Sequence, residues 1–355
     1  MKVLITNIEM DDYSGTTLYV KELALGLKNA GIQVEVFTFR VGVIGEELQS
    51  ADILVSDNLK QLTTPDIIHA HHNLTAWPLL FHFKDCPMVF WVHNRLSPLD
   101  MPPLHRNIMA YMAVDYNCKE RYTKEHDFAP DEVIVIQNWV NTHRFHLKAK
   151  VNTKPAKALV FSNYAREDGF LPAIREACER LNIELQVMGR GTGTERLDPE
   201  NYLGAYDLVF AKAKAAMEAM ASGCAVCVCD FTGLAGLVQS ENYKHFRRFN
   251  FGMKLMTKTI TAEAIAEACS EYERDEVIAV TKRLRKEAGF EVIFAQILPL
   301  YETVISRYSS GEHGRYQFTL ARYLKTRKVT FRIWAGLWTE RHVPILHRFI
   351  SKTGG

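Results

Sequence analysis

The amino-acid sequence predicts an α/β protein with two doubly wound domains in tandem, and three observations support this. Short apolar, β-branched segments alternate with longer segments of helical periodicity, which is typical of parallel sheets covered by helices on both faces. The pattern stops at 147–157, a polar and basic segment that contains proline, and then restarts. The length of 355 residues also suits about two domains.

The first predicted domain spans residues 1–146. The segment "KVLITNI" has the composition of a buried parallel strand, and the Gly-containing turn "DDYSGTT" follows it. The next segment, "LYVKELALGLKNAG", places Leu18, Leu23 and Leu27 on one helical face and ends at Gly31. Further strands are predicted at "QVEVFTF", "DILVS", "DIIHAH" and "MVFWVHN", and "EVIVIQNWVNTHRFH" closes the domain.

The second predicted domain spans residues 158–308 and repeats the same alternation after the linker at 147–157. Strands are predicted at "ALVFSNY", "IELQVMG", "DLVFA" and "AVCVCD", with a helix at "LPAIREACERLN" and two helices near the end. We therefore expect two Rossmann-like halves that face a cleft. Residues 309–355 form a basic, aromatic extension that we expect to be helical.

Composition predicts a cytoplasmic protein. Apolar residues make up 47% and charged residues 24%, which are ordinary values for a globular protein. The start, "MKVLITNIEMDD", lacks the long apolar core of a signal peptide, and no apolar run is long enough to span a bilayer. The seven cysteines show no framework spacing, so we expect reduced thiols.

Charge is concentrated in the extension. Residues 309–355 contain nine Lys or Arg and two acidic residues, whereas the net charge of the whole chain is +2. Aromatic residues alternate with these bases, and Trp334, Leu337 and Trp338 share one helical face. This pattern favours contact with an anionic membrane on its inner face, and the alternative is an extension packed back on the first domain. Nucleic acid is a poorer partner because the rest of the chain is mildly acidic.

The stretch "YDLVFAKAKAAMEAMASGCAVCVCD" (206–230) reads as strand, turn, helix and strand. Ligands of open α/β sheets bind beyond the carboxyl ends of the strands, where Lys212, Lys214 and Glu218 are predicted to lie. A helix N-terminus with added lysines favours a diphosphate, and a carboxylate further along suits a ribose diol. On spacing alone, these residues could equally be solvated surface groups.

The same stretch resembles the donor-site segment of family 4 GT-B glycosyltransferases, in which a glutamate opens a helix of the form "EAMA.G.PVV". Four more motifs follow the family order: "SGTTLYVKELALGLKNAGIQVEVFTF", "DIIHAHH", "VFWVHN" and "VIQNWVNTHRF". The resemblance covers about residues 1–305. It implies a GT-B fold and a retaining glycosyltransferase that moves sugar from a nucleotide-sugar donor to a glycan or lipid-linked glycan, without an obligatory metal or other cofactor.

The resemblance also implies roles for individual residues. Glu218 would hold the donor ribose, Gly15 and Thr16 would bring backbone close to the donor phosphates, and His93 would contact the transferred sugar. The chain departs from the family at Phe210, where a second glutamate is common. The family's Arg and Lys after the first strand of the second domain are also missing from "VFSNYAREDG", so Arg166, Lys212 and Lys214 are predicted to supply positive charge there.

These departures keep two alternatives open. The chain could be a GT-B-like binding or scaffold protein without catalysis, or a nucleotide-sugar epimerase of the same fold. Arg190, in the glycine-rich segment "MGRGTG", is a further phosphate-binding candidate.

The sequence also contains two clusters of potential metal ligands. For His69, His71 and His72 a packed or cleft-lining role is favoured over a metal site, and no metal site is predicted. Cys224, Cys227 and Cys229 are expected to be buried small apolar residues.

Overall fold

The computed structural model describes residues 1–342, except for the side chains of Val329 and of residues 337–342. The chain divides into two compact units. Unit 1 contains Met1–Val114, Cys118–Ile136 and the described chain that follows Ala295, and unit 2 contains Asp115–Asn117 and Gln137–Ala295. Of the predicted helical face formed by Trp334, Leu337 and Trp338, only the side chain of Trp334 is among those described. Arg348, Phe349 and Lys352 of the extension also lie outside the described residues.

Unit 1 is built on a parallel sheet of seven strands in the order β3-β2-β1-β4-β5-β6-β7. The strands are β1 Lys2–Thr6, β2 Gln33–Phe37, β3 Leu54–Ser56, β4 Ile67–His71, β5 Met88–Val92, β6 Ile108–Ala113 and β7 Val133–Val135. The expected doubly wound sheet is confirmed. Strand β6 was not predicted, because its Met and Ala residues carry little of the β-branched signal that marks strands.

The α-helices that belong to or enter unit 1 within residues 1–342 are α1 Gly15–Asn29, α2 Gly42–Ser50, α3 Asn73–His82, α4 Tyr116–Glu125, α10 Phe290–Ser309 and α11 Leu320–His342. Helix α1 begins three residues earlier than predicted, because Ser14 takes the extended conformation of an N-cap and the helix starts at the next residue. Gly15 and Thr16 therefore lie in its first turn rather than in a loop.

Unit 2 has a five-stranded sheet in the order β12-β11-β10-β8-β9. Its strands are β8 Lys157–Phe161, β9 Glu184–Met188, β10 Leu208–Ala211, β11 Ala225–Asp230 and β12 Gly233–Leu237, and its helices are α5 Leu171–Arg180, α6 Ala213–Ala221, α7 Tyr243–Arg248, α8 Ala262–Ser270 and α9 Arg274–Ala288. Strand β12 is antiparallel to β11, whereas the other neighbours are parallel. It was not predicted, because "GLAGL" is glycine-rich.

Successive residues of the central strands of unit 2 enter two different apolar cores. Val209 of β10 packs in the core that includes residues of α6 and α9, and Phe210 packs in the core that includes residues of α5 and α8. This alternation follows from the period of two along a strand. Phe210 is 1% exposed, so it fills the core on the face opposite to α6.

The unit boundaries differ from the predicted domain ends at 146 and 308. Tyr301 and Val304 on the second half of α10 are buried in unit 1, so burial of this apolar face assigns the chain from Gln296 to that unit. The predicted linker belongs to unit 2, where Lys148 Nζ donates to the carbonyl of Tyr206 (2.8 Å) and Asn152 Nδ2 to Asp207 Oδ1 (3.0 Å).

Helix α11 packs against α3 within unit 1. The ring of Tyr323 stands edge-on to Trp77, with the centroids 5.1 Å apart, and Thr326 and Thr330 are buried. The described part of the extension thus follows the alternative in which it packs on the first domain. No helix among residues 1–342 combines the length and the apolar character that crossing a membrane requires.

Candidate functional site

Four parallel strands of unit 2 end at one edge of the sheet and bring polar residues together there. Ser162 follows β8, Gly189 follows β9, Lys212 follows β10, and Asp230 is the last residue of β11. Ligands of doubly wound sheets bind at this carboxyl edge. The candidate site of unit 2 is therefore built on rigid strand ends.

Glu218 lies on α6, the helix that begins directly after β10 and Lys212. The residue is only 5% exposed, although its neighbours on the helix are mostly apolar. No side chain caps the N-terminus of α6, and Ala213 at its start has a positive φ of 51° with its N–H bonded to the carbonyl of Phe251 (2.9 Å). Strained backbone often occurs at functional sites, and here it lies at the start of the helix that carries the buried carboxylate.

Lys212 forms an ion pair with Asp230, which is fully buried. Its ammonium also lies 4.6 Å from the ring centroid of Tyr164 and 4.9 Å from that of Phe231. Asp230 Oδ1 in addition accepts the N–H of Phe231 (2.8 Å). Because an internal carboxylate already compensates Lys212, it would add little net positive charge to a diphosphate site, and its predicted role stays a prediction.

The other predicted phosphate ligands are more exposed. The guanidinium of Arg190 contacts Glu195 at 3.2 Å, and its backbone N–H donates to Asn163 Oδ1 (3.0 Å). Arg166 is exposed, and Lys214 is half-buried on the first turn of α6. The structure thus keeps all three in unit 2, and their roles as donor ligands stay predictions.

The glycines of "MGRGTG" serve close packing between two loops. A Cβ atom at Gly189 would lie 2.0 Å from the carbonyl oxygen of Ser162, and one at Gly191 would lie 2.3 Å from that of Ala165. The N–H of Gly191 also donates to the carbonyl of Asn163 (3.1 Å). The close approach of the two loops therefore accounts for glycine at positions 189 and 191, and no ligand is needed to explain it.

Arg247 was missed by sequence reasoning. It is 5% exposed and donates to Asn250 Oδ1 (2.9 Å) and to the carbonyl of Asn138 (2.6 Å), and it contacts Met217 Sδ at 3.5 Å. Burial lowers its pKa to about 10. Since Met217 precedes Glu218 on α6, Arg247 is a candidate positioning residue for that helix. No local pattern marks it, because an Arg in a basic run normally faces solvent.

The candidate site of unit 1 centres on His93, which follows β5. Its Nε2 atom lies 2.8 Å from Nδ1 of His71, the last residue of β4. Deeper in the sheet, His69 stacks on Trp91 (centroids 4.4 Å apart, 12° between planes), and its Nδ1 contacts the hydroxyl of Tyr301. Three histidines therefore lead from a partly exposed ring into the core.

Burial keeps these imidazoles neutral. It lowers the pKa of His69 to about 3 and holds the pKa values of His71 and His93 well below their ordinary range. Nε2 of His69 and Nε2 of His71 are buried and have no hydrogen-bond partner among the described residues. Within the part of the chain that the structure describes, no group of His, Cys, Asp and Glu is arranged as a metal site.

Helix α1 and the loop after β5 complete this corner of unit 1. The ring of Tyr19 stands edge-on to His93, with 4.7 Å between centroids, one turn after Gly15 and Thr16. An added Cβ at Gly15 meets no atom within 4 Å, so the backbone there is open to close approach. The N–H of His93 donates to Asp100 Oδ1 (2.8 Å), whose pKa burial raises.

The cysteines take no part in either site. Cys224, Cys227 and Cys229 are free and buried, as expected, and burial raises the pKa of Cys224 to about 12. A thiol of that pKa stays protonated and unreactive at neutral pH.

Comparison with known proteins agrees with this architecture. Residues 13–144 match the family model Glycosyltransferase Family 4. Among solved structures, the chain is similar to a glycosyltransferase from Rickettsia africae, with 15% identity and a TM-score of 0.61 over 86% of this chain and 98% of that one. It is also similar to sucrose-phosphate synthase from Thermosynechococcus elongatus, with 14% identity and a TM-score of 0.59 over 86% and 99%.

A third similar structure is a protein from Listeria monocytogenes assigned as a UDP-N-acetylglucosamine 2-epimerase. The identity is 14% and the TM-score 0.51, over 90% of this chain and 99% of that one. No curated protein matches the sequence. Together, the family match and these structures confirm the predicted resemblance and the GT-B fold, and they support a glycosyltransferase.

Proposed function

We propose that this chain, with its GT-B fold and its family 4 match, is a retaining glycosyltransferase that takes sugar from a nucleotide-sugar donor. The acceptor is a hydroxyl of a glycan or a lipid-linked glycan. The observation that carries the proposal is the buried carboxylate of Glu218 on α6, at the carboxyl edge of the unit 2 sheet. A carboxylate in this position suits a ribose diol, because it can accept two hydrogen bonds.

The proposed mechanism rests on charge stabilisation. Cleavage of the sugar–phosphate bond builds negative charge on the leaving diphosphate, and donors aimed at it in advance are usually the largest catalytic contribution. Lys214, Arg166 and Arg190 are the proposed sources, whereas Lys212 is offset by Asp230. Retention then follows from attack on the same face, with the leaving phosphate accepting the acceptor's proton, so no metal or protein nucleophile is required.

His93 is the proposed contact to the transferred sugar. Because its pKa lies well below the ordinary value, the ring is neutral at physiological pH. Because Nε2 of His93 is engaged by His71, Nδ1 is the nitrogen that remains for a sugar hydroxyl, and a neutral imidazole nitrogen either donates or accepts one hydrogen bond there. The proposal assigns it orientation of the sugar rather than proton transfer.

The extension is the proposed contact to an anionic membrane at the cytoplasmic face. Leu320, Leu324 and Phe331 on α11 are 62%, 55% and 58% exposed, and they lie on one side of the helix. The bases Lys325, Lys328 and Arg332 are exposed as well, on a neighbouring arc. A helix that turns apolar and basic residues outward suits a lipid interface.

Glu218→Gln tests the donor site, because it keeps the shape of the side chain but removes its charge. We expect kcat/KM for transfer to fall by about 100-fold, or about 2.7 kcal/mol, with an unchanged melting temperature. Glu267→Gln, an exposed carboxylate on α8, is the matched control. Turnover close to wild type in Glu218→Gln would remove the basis of the assignment.

Two other functions are separated by product analysis with a panel of nucleotide sugars. The likeness to the Listeria protein favours an epimerase as the second candidate, and an epimerised nucleotide sugar formed without acceptor would identify it. Phe210, buried where the family often has glutamate, motivates a non-catalytic binding protein. Binding of a nucleoside diphosphate without any turnover would identify that case.

A further inference from the structure

A cavity of about 140 Å³ lies in unit 1 beneath helix α11. It has room for roughly five water molecules at ~30 Å³ each, which is the size of a small polar headgroup. Met101, Pro102 and Leu104, from the loop after β5, give it an apolar wall. None of the residues that line the cavity belongs to the site around His93.

Opposite charges line the cavity from two different elements. Arg322 and Lys325 come from α11, and Asp127 comes from the turn that follows α4. None of these three side chains has an ion-pair partner among residues 1–342 whose side chains are described. Glu125 also lines the cavity, but it is paired with Arg95 at 3.3 Å. One acid and two bases are thus available to a ligand.

Two buried polar atoms of the lining lack a partner. Nε1 of Trp77, a residue that is 2% exposed, and Nε2 of His126 make no hydrogen bond to any described residue. Buried polar groups in folded proteins are nearly always hydrogen-bonded, so an unsatisfied pair beside a cavity points to a ligand or to bound water. Burial and the nearby Arg121, Lys325 and Arg322 lower the pKa of His126.

An exposed apolar patch surrounds the same tryptophan. The rings of Phe81 and Phe318 both lie 5.8 Å from Trp77, and they are 43% and 38% exposed. Leu320 and Leu324 on α11 are also exposed apolar residues. Contiguous apolar patches on a folded protein mark interaction surfaces.

We propose that this cavity binds the headgroup of a membrane phospholipid that carries both a phosphate and a primary ammonium. The phosphate contacts Arg322 and Lys325, and the ammonium contacts Asp127. The apolar patch then faces the acyl chains. A ligand that carried only negative charge would be repelled by the carboxylate of Asp127. A ligand without acyl chains would leave the apolar patch exposed to water. The inference rests on the membrane contact proposed above and is independent of the donor site.

The test is cosedimentation of the full chain with vesicles of phosphatidylcholine, and with vesicles in which half of it is replaced by phosphatidylethanolamine. A quaternary ammonium cannot donate a hydrogen bond to Asp127, whereas a primary ammonium can. We expect at least about fivefold tighter binding to the mixed vesicles, a difference of about 1 kcal/mol.

Variants separate the site from general attraction. Asp127→Asn should remove the preference for the primary amine, whereas the double variant R322Q/K325Q should weaken binding to both kinds of vesicle. Asn tolerates the positive φ of 60° at position 127. The matched controls are Asp131→Asn in unit 1 and Lys244→Gln in unit 2, which are exposed and lie outside the cavity.

Three results would overturn the proposal. Binding that grows with phosphatidylglycerol but does not distinguish the amine from choline would leave only general attraction by the basic helix. Binding to no vesicle at all would refute membrane contact, while transferase activity would still stand or fall with Glu218. If soluble saccharides, but not vesicles, protected the fluorescence of Trp77 from a soluble quencher, the cavity would be assigned to a glycan.

Discussion

The Nε2 atom of His93 lies 2.8 Å from the Nδ1 atom of His71, so a partly exposed imidazole is held by a fully buried one. Both rings are neutral, since burial depresses their pKa values, and one must therefore donate to the other. The contact fixes which nitrogen of His93 carries the proton, and it thereby decides what this ring offers to a substrate.

His71→Phe removes this contact and keeps a ring of similar size in the core. We expect kcat to fall by about fivefold with a smaller change in KM, because one oriented hydrogen bond contributes about 1 kcal/mol. His82→Asn, an exposed histidine on α3, is the control. Because His93 stays neutral, the rate of the wild type should not fall through protonation of this ring between pH 7 and pH 5.5. An acidic limb in that range that disappears in His93→Asn would contradict the neutral ring.

His69 links pH to stability. Its folded pKa is about 3, because of burial, against an unfolded value of about 6.5. The unfolded chain therefore binds the proton first, so this contribution to stability is complete above about pH 6.5 and is lost as the pH falls toward 3. We expect His69→Phe to flatten the decline in the free energy of unfolding by about 1.4 kcal/mol per pH unit between pH 6 and pH 4. Urea titrations followed by tryptophan fluorescence measure it, and an unchanged slope would contradict the prediction.

Variants of the Lys212–Asp230 ion pair are expected to differ in stability in a definite order. Lys212→Met leaves a fully buried carboxylate without its cation, whereas Asp230→Asn leaves an ammonium that is 20% exposed and still lies over two rings. We expect Lys212→Met to cost about 3 kcal/mol and Asp230→Asn less. The double variant should be more stable than Lys212→Met alone. Additive losses in urea unfolding would show that the pair is not coupled.

Gly189→Ala tests the packing of the loops after β8 and β9. The new Cβ would lie 2.0 Å from the carbonyl oxygen of Ser162, so backbone must move, and we expect a loss of at least about 2 kcal/mol. Gly204→Ala is the matched control, because its nearest neighbour is Lys148 Cβ at 3.7 Å. Similar melting temperatures for the two variants would refute the close approach.

Sequence patterns located most strands because a buried parallel strand needs consecutive apolar, β-branched residues. Strands β6 and β12 escaped prediction, since Met, Ala and Gly carry a weak strand signal. The position of Glu218 just after a strand was predictable for the same local reason. The positive φ of Ala213 at the start of α6 was not, because the bond to Phe251 that accompanies it joins distant parts of the chain.

The sequence by itself determined the alternation of strands and helices, and with it the doubly wound fold and the place of Glu218 on α6. Only the tertiary structure decided the partners. It paired Lys212 with Asp230, buried Arg247 beside Met217, joined His93 to His71, and placed Tyr301 of α10 against His69. Local propensities act over a few residues, whereas these charges and rings meet across 18 to 232 residues, so only burial in a common core brings them together.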